Sequence, residues 1–291
     1  MNEMILPYLP ERKGLQKTVI DAMDDAVEAG GKRIRPRLIY ETYVMFCRKY
    51  GRDIRNEAVA PFMAGMEMMH SASLIHDDLP CMDNDQLRRG KPTTWVTYGE
   101  DMATLAGDAL MIESLAVMAR AAAAEKGAEE KARAIEALNL FGYKAGYQGM
   151  TGGQTVDVEN TGKPLSREQL DFIYRLKTGA LLEASMMMGA ILAGASAEEV
   201  SACEKIAANV GMSFQIRDDI LDETATEEEL GKPILSDAEN DKTTFVSIYG
   251  LKAADEEVKK LSREAIELLR SLNCESGELE KIIVSLIDRK N

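Results

Sequence analysis

At 291 residues, with 45 % of them hydrophobic, the chain holds enough apolar material for a sizeable core. Its formal net charge of −14 argues against a nucleic-acid surface, and its two local basic groups, at 32–37 and 88–91, fit a small anionic ligand better than a polyanion, with a solvated charge run as the alternative for either group alone. The four cysteines, Cys47, Cys81, Cys203 and Cys274, form no CxxC pair and no disulfide-like spacing, which fits a reducing, cytoplasmic location.

The start, Met-Asn-Glu-Met-Ile-Leu-Pro, has no basic segment before an apolar core, so no signal peptide is expected. Apolar periodicity predicts helices over 15–29, 37–50, 56–79, 101–124, 128–148, 167–193 and 197–222. Capping boxes at Ser166…Gln169 and Ser196…Glu199 open the last two. Gly and Pro collect at 30–36, 80–92, 149–164 and 231–233, which read as connections. The most apolar run, Ala180 to Ala195, is interrupted by Glu183 and falls short of the roughly 20 residues a bilayer needs, so no membrane span is expected. From Thr224 to Glu229 an acidic segment reads as a mobile flap. Two amphipathic helices close the chain, at 255–272 and 277–288. Strand alternation is nearly absent and nothing repeats at a fixed period. The expected fold is all-α, a single domain over 1–291 of about nine to eleven helices.

Two acidic clusters carry the chemistry. The first runs His76-Asp77-Asp78-Leu79-Pro80-Cys81-Met82-Asp83, with Arg88, Arg89 and Lys91 close behind. Pro80 disfavours helix at Leu79, so the helix ends there and Asp83 rides on a loop able to fold back towards Asp77. In the second, Gln215-Ile216-Arg217-Asp218-Asp219-Ile220-Leu221-Asp222, Asp218 and Asp222 are four apart and share one helix face. Hard cations such as Mg²⁺ are held by a few carboxylates together with substrate phosphates. One such cluster alone is as readily a solvated acidic helix end; two, each after an apolar run and beside basic residues, point to a metal-bridged phosphate site. His70, seven residues before Asp77, lies two turns back on nearly the same face.

These residues belong to an ordered set between about 30 and 250. It includes Gly30-Gly31-Lys32-Arg33-Ile34-Arg35-Pro36, the first acidic cluster, Leu87-Arg88-Arg89-Gly90-Lys91-Pro92-Thr93, and Leu105-Ala106-Gly107-Asp108. It continues with Gly152-Gly153-Gln154, Asp157, Lys177-Thr178-Gly179, Phe214-Gln215 before the second cluster, and Asp241-Lys242-Thr243-Thr244. The set resembles the trans-prenyl diphosphate synthases. That resemblance implies a homodimeric all-α enzyme, an isoprenoid-synthase helical bundle around a central substrate cavity, joining isopentenyl diphosphate to allylic diphosphates with three Mg²⁺ ions. Asp77, Asp78 and Asp83 would hold metal from one side, and Asp218, helped by Asp219 and Asp222, from the other. Arg88, Lys177, Lys242 and Lys232 would contact the allylic diphosphate; Lys32, Arg35, His70 and Arg89 would grip that of isopentenyl diphosphate. Thr178, Gln215 and the Lys177 carbonyl would face the developing cation.

In that family the helix before the first acidic cluster sets product length. Ala72 and Ser73 stand where farnesyl-making relatives commonly carry aromatics, so the tail would pass fifteen carbons and stop near Met69, or Met66 beyond it, at geranylgeranyl diphosphate. Farnesyl diphosphate is the alternative product. The other methionines, Met63, Met66, Met68 and Met186 to Met188, are core filler or tail-pocket wall. Trp95 stands where relatives often carry histidine, and affects loop packing or the subunit contact. A metal phosphohydrolase of the His-Asp type needs more histidines than His70 and His76. A class I terpene cyclase would lack the second aspartate cluster, and a non-catalytic partner subunit would have lost one of the two.

Overall fold

Runs with apolar residues at every third or fourth position fold into helices, and the computed structural model describes residues 1–224 and 243–287. A short α1 (Asn2–Ile5) and a 3₁₀ turn (Leu6–Tyr8) lead into α2 (Lys17–Glu28), α3 (Ile34–Lys49) and α4 (Asn56–Asp77). A two-stranded ribbon, β1 (Leu87–Arg88) and β2 (Lys91–Pro92), precedes α5 (Thr94–Tyr98), α6 (Glu100–Ala124), α7 (Ala128–Ala145) and α8 (Met150–Glu159). Then come α9 (Arg167–Ile173), a π-helical turn (Tyr174–Gly179) and α10 (Ala180–Ala193) in one continuous rod. The chain closes with α11 (Ala197–Thr224), α12 (Phe245–Tyr249), α13 (Leu251–Ser271) and α14 (Gly277–Ile287).

α10 is the centre. It packs on α3, α7 and α11, and nearly every residue is buried, which is why its sequence is apolar all round. Its one charge, Glu183, is fully buried and pairs with Lys144 of α7. Around it α4 lies along α6, and α11 along α13. Met63, Met66, Met68 and Met186 to Met188 fill the core between these helices. Both capping boxes form: Ser166 Oγ accepts from the Gln169 amide, and Ser196 Oγ from the Glu199 amide at 3.3 Å.

Three expectations need revision. α8 occupies much of 149–164, which its glycines made look like a connection, and α3 starts three residues before 37. Two rods, Glu100–Ala124 and Arg167–Ala193, are long and apolar enough by length and composition to cross a bilayer. The expectation drawn from Ala180 to Ala195 alone was therefore too narrow. The best window of the second rod is 78 % buried, as a core helix would be; that of α6 is only 39 % buried, leaving an apolar outer face.

Candidate active site

The left-handed stretch before α3 builds one wall of the largest cavity among those described, about 1260 Å³. Gly30, Gly31 and Arg33 all have positive φ (88°, 134° and 48°), so the chain turns sharply and presents Lys32 and Arg35 at the helix start. Pro36 sits in the first turn of α3, where a missing amide costs nothing. The helix N-terminus adds partial positive charge to that wall. The β1–β2 ribbon supplies more. Its two-residue turn, Arg89 (φ 55°) and Gly90 (φ 74°), has the two positive φ values of a type I′ hairpin. The ribbon brings Arg88 and Arg89 to the cavity, and Arg89 donates to the Gly30 carbonyl.

His70 lies among these cations, with Nε2 3.4 Å from Arg35 Nη1. Burial, reinforced by Arg35 and Arg89, holds its pKa well below the usual 6.5, so the imidazole is neutral. Burial likewise pulls Arg35 down to about 10, with Arg89 adding repulsion and Glu67 opposing it. Positive groups crowded together and destabilised in this way make an anion site.

α4 and α11 bring the acids. Asp77 and Asp218 both line the cavity. The loop after α4 folds back, with the Asp83 amide donating to the Asp77 carbonyl at 2.8 Å, although the Asp83 side chain stays exposed. Burial pushes Asp77 up to about 6, with Asp83 and Asp78 adding to the rise and Lys177 opposing it. The remaining aspartates stand off the cavity wall. Asp78 is 3 % exposed and takes Arg88 Nε at 2.6 Å. Asp219 accepts from Tyr174 Oη at 2.6 Å and from the Phe245 amide at 2.8 Å, which ties the π turn, α11 and α12 together. Asp222 is buried.

Among the described residues no group of three or more His, Cys, Asp or Glu is gathered tightly enough to hold a metal. The donor set nevertheless fits a hard divalent cation shared with phosphate oxygens. Asp77 is uncomfortable as an anion, and the buried Oε1 of Gln154, whose Nε2 holds Asp77 Oδ1 at 2.8 Å, has no partner. A site of one or two carboxylates per element, completed by substrate, is the arrangement Mg²⁺ favours.

The π turn supplies Lys177 and Thr178 to the cavity, and α11 supplies Gln215. Lys177 Nζ lies 2.5 Å from Asp157 Oδ2 of α8. α8 comes this close because residue 153 is glycine: a Cβ there would overlap the Lys177 amide nitrogen and lie 2.8 Å from the Leu176 carbonyl carbon. Gly107 of α6 plays the same part for His76, which lies 3.2 Å from the Thr104 carbonyl. Apolar walls come from Met111, Met150, Leu181, Phe214 and Leu286. Of the residues expected to set tail length, Ser73 is on the cavity wall, whereas Ala72 and Met69 are packed in the core beside it. Trp95 ties α5 to the ribbon by donating from Nε1 to the Asp85 carbonyl at 2.8 Å. Lys232, Lys242 and 225–229 of the acidic segment lie outside the described residues.

Gln154 and Phe214 were visible in the sequence motifs without a role assigned to them. Tyr174 carried no sequence signal, because only the π turn brings its hydroxyl to Asp219.

Residues 16–284 match the polyprenyl synthetase family. The chain is 41 % identical over 262 residues to the farnesyl diphosphate synthase of Geobacillus stearothermophilus, covering 90 % of this chain and 85 % of that one. It is 36 % identical to the geranylgeranyl diphosphate synthase of Cyanophora paradoxa, over 100 % of this chain and 98 % of the relative. A solved geranyltransferase from Helicobacter pylori, complexed with magnesium and isoprenyl diphosphate, superposes with a TM-score of 0.81. Its identity is 31 %, over 98 % of this chain and 93 % of that one. An all-helical isoprenoid-synthase fold, a cavity with opposed charges and full-length relatives lead to one conclusion: the chain belongs to the polyprenyl synthetase family and is a prenyltransferase, a short-chain trans-polyprenyl diphosphate synthase.

Proposed function

We propose that this protein makes geranylgeranyl diphosphate, extending dimethylallyl, geranyl and farnesyl diphosphate with isopentenyl diphosphate, and works as a homodimer in the cytoplasm. The observation that carries the reading is the distribution of charge in the cavity. Cations gather around the start of α3 and the ribbon, carboxylates stand on α4 and α11, Lys177, Thr178 and Gln215 lie with them, and Met111, Met150, Leu181, Phe214 and Leu286 give the wall its apolar part.

Three bound Mg²⁺ ions, the number the family resemblance implies, would neutralise carboxylates and diphosphate together and polarise the leaving oxygen. Asp77 of α4 and Asp218 of α11, both on the cavity wall, would hold those ions, and Gln154 fixes the orientation of Asp77. Arg88 and Lys177 hold the allylic diphosphate as it departs. Lys32, Arg35 and Arg89 hold the second diphosphate, and neutral His70 accepts from Arg35 and keeps its fork directed. Thr178 Oγ1, the Lys177 carbonyl and Gln215 put partial negative charge beside the allylic carbon as it becomes cationic, the kind of preorganised stabilisation that supplies much of enzymatic rate enhancement. Met111, Phe214 and Leu181 exclude water from that carbon. The double bond of isopentenyl diphosphate then attacks, and the departed diphosphate takes the proton released as the new double bond forms.

The test is a product assay with Mg²⁺, labelled isopentenyl diphosphate and each primer in turn. Products of twenty carbons from all three support the reading. Arrest at fifteen keeps the chemistry and overturns the product assignment; no elongation from any primer overturns the reaction.

A further inference from the structure

Arg33 has no part in the chemistry above, yet its side chain is among the buried charges of the fold, 6 % exposed. Its guanidinium is used on every side. One terminal nitrogen pairs with Glu67 of α4, the other donates to the Val27 carbonyl of α2, and Nε donates to Asn2 Oδ1 of α1 at 3.2 Å. One side chain therefore ties three helices to the start of a fourth. Arg33 itself is held at φ 48°, a left-handed conformation that is costly for a residue with a side chain, whereas Gly30 and Gly31 before it take positive φ freely. A Cβ on Gly31 would lie 2.7 Å from the Arg89 guanidinium, so this loop and the ribbon fit together closely. Glu67 is 3 % exposed and stands one turn before His70 on the same face of α4. Its charge favours the cationic forms of both Arg35 and Arg89.

We propose that the buried Arg33–Glu67 pair is the positioning element for the second diphosphate subsite. Arg33 locks the left-handed loop so that Lys32 and Arg35 converge with Arg89, and Glu67 offsets the repulsion among them. The inference rests on the proposed reading of that wall as the isopentenyl diphosphate site.

Removing one partner alone strands a buried charge and endangers the fold. The test therefore uses the double variant Arg33→Met, Glu67→Leu, in which neither charge remains. Circular dichroism and melting check the fold, calorimetry measures isopentenyl diphosphate binding, and steady-state kinetics gives KM for both substrates. The expected result is a folded protein whose Kd and KM for isopentenyl diphosphate rise roughly tenfold or more, as small misplacements of binding groups do, while KM for the allylic substrate and kcat change far less. Unchanged isopentenyl diphosphate binding, or equal loss for both substrates, overturns the proposal. Wild-type protein that binds isopentenyl diphosphate without elongating would sink the functional reading and leave this inference to be judged on binding; wild-type protein that does not bind it sinks both.

Discussion

Asp77 shows how a single side chain links stability to cofactor. Burial holds its carboxyl at about 6 against an ordinary 3.8, so the folded protein binds this proton more tightly than the unfolded chain. Stability of the metal-free protein should therefore fall as pH rises from 3.8 to about 6 and stay penalised above that. A cation beside Asp77 removes the penalty. Mg²⁺ with inorganic diphosphate is expected to raise the melting temperature more at pH 8 than at pH 5, and Asp77→Asn should erase most of the difference. Equal shifts at both pH values would contradict this account of Asp77. On the function proposed above, residues of the same helix set tail length. Ser73→Phe places a ring directly in the cavity and is expected to shorten the product. Ala72→Phe must push into a filled core, costing about 1–3 kcal/mol, and shortens the product by crowding the wall from behind. Product sizing and melting curves on both variants separate the two routes; an unchanged product from Ser73→Phe would remove that residue from length control.

At the scale of elements, the π turn between α9 and α10 decides where Lys177 and Thr178 point. Its contact with α8 has no room for a methyl group at Gly153, because the atoms facing it are backbone and cannot rotate away. Gly153→Ala is expected to keep its helical circular dichroism while kcat/KM falls on the order of a hundredfold, the effect of displacing a catalytic group by about 1 Å. Activity close to wild type would mean that the turn tolerates movement. The same contact explains why α8 was hard to read. Gly152 and Gly153 look like breakers in a linear sequence, yet backbone crowds both, the Tyr147 carbonyl of the preceding turn at Gly152 and the π turn at Gly153. The π turn was hidden for the opposite reason, since the apolar pattern runs unbroken through 167–193 and periodicity does not register one inserted residue. α5 and α12 are five residues each, too short to show a period. The long helices, both capping boxes and both charge clusters were legible because each is a local pattern. Which aspartates face the cavity was not, since Asp218 lines it while Asp219 is buried against Tyr174 and Phe245, and that depends on how α11 is rotated against its neighbours.

The outer face of α6 poses the remaining question for the whole molecule. A helix in a water-soluble bundle ordinarily shows water a polar stripe. Here Leu105 (50 %), Ile112 (69 %) and Leu115 (39 %) are exposed on α6, and Ile135 and Tyr143 on the adjacent α7. An open apolar trough runs between the two helices past Leu115, Leu140 and Tyr143. Isolated exposed apolar residues are ordinary, but several on two adjacent helices beside an apolar trough form a surface that an interface would cover. On the homodimer reading proposed above, a second copy is the occupant, because a twofold pairing lets α6 pack on its own counterpart and covers the same surface on both chains. α6 also lies against α4, which carries Asp77, so pairing would brace the helix that holds the first acidic cluster. Wild-type protein is expected to sediment as a dimer at micromolar concentration, and Ile112→Glu, which sets a charge in the middle of the patch, to sediment as a monomer. That monomer should melt earlier and lose activity even though Ile112 does not line the catalytic cavity. A wild-type monomer in the ultracentrifuge would refute the pairing, and a fully active Ile112→Glu monomer would show that the acidic helix needs no brace.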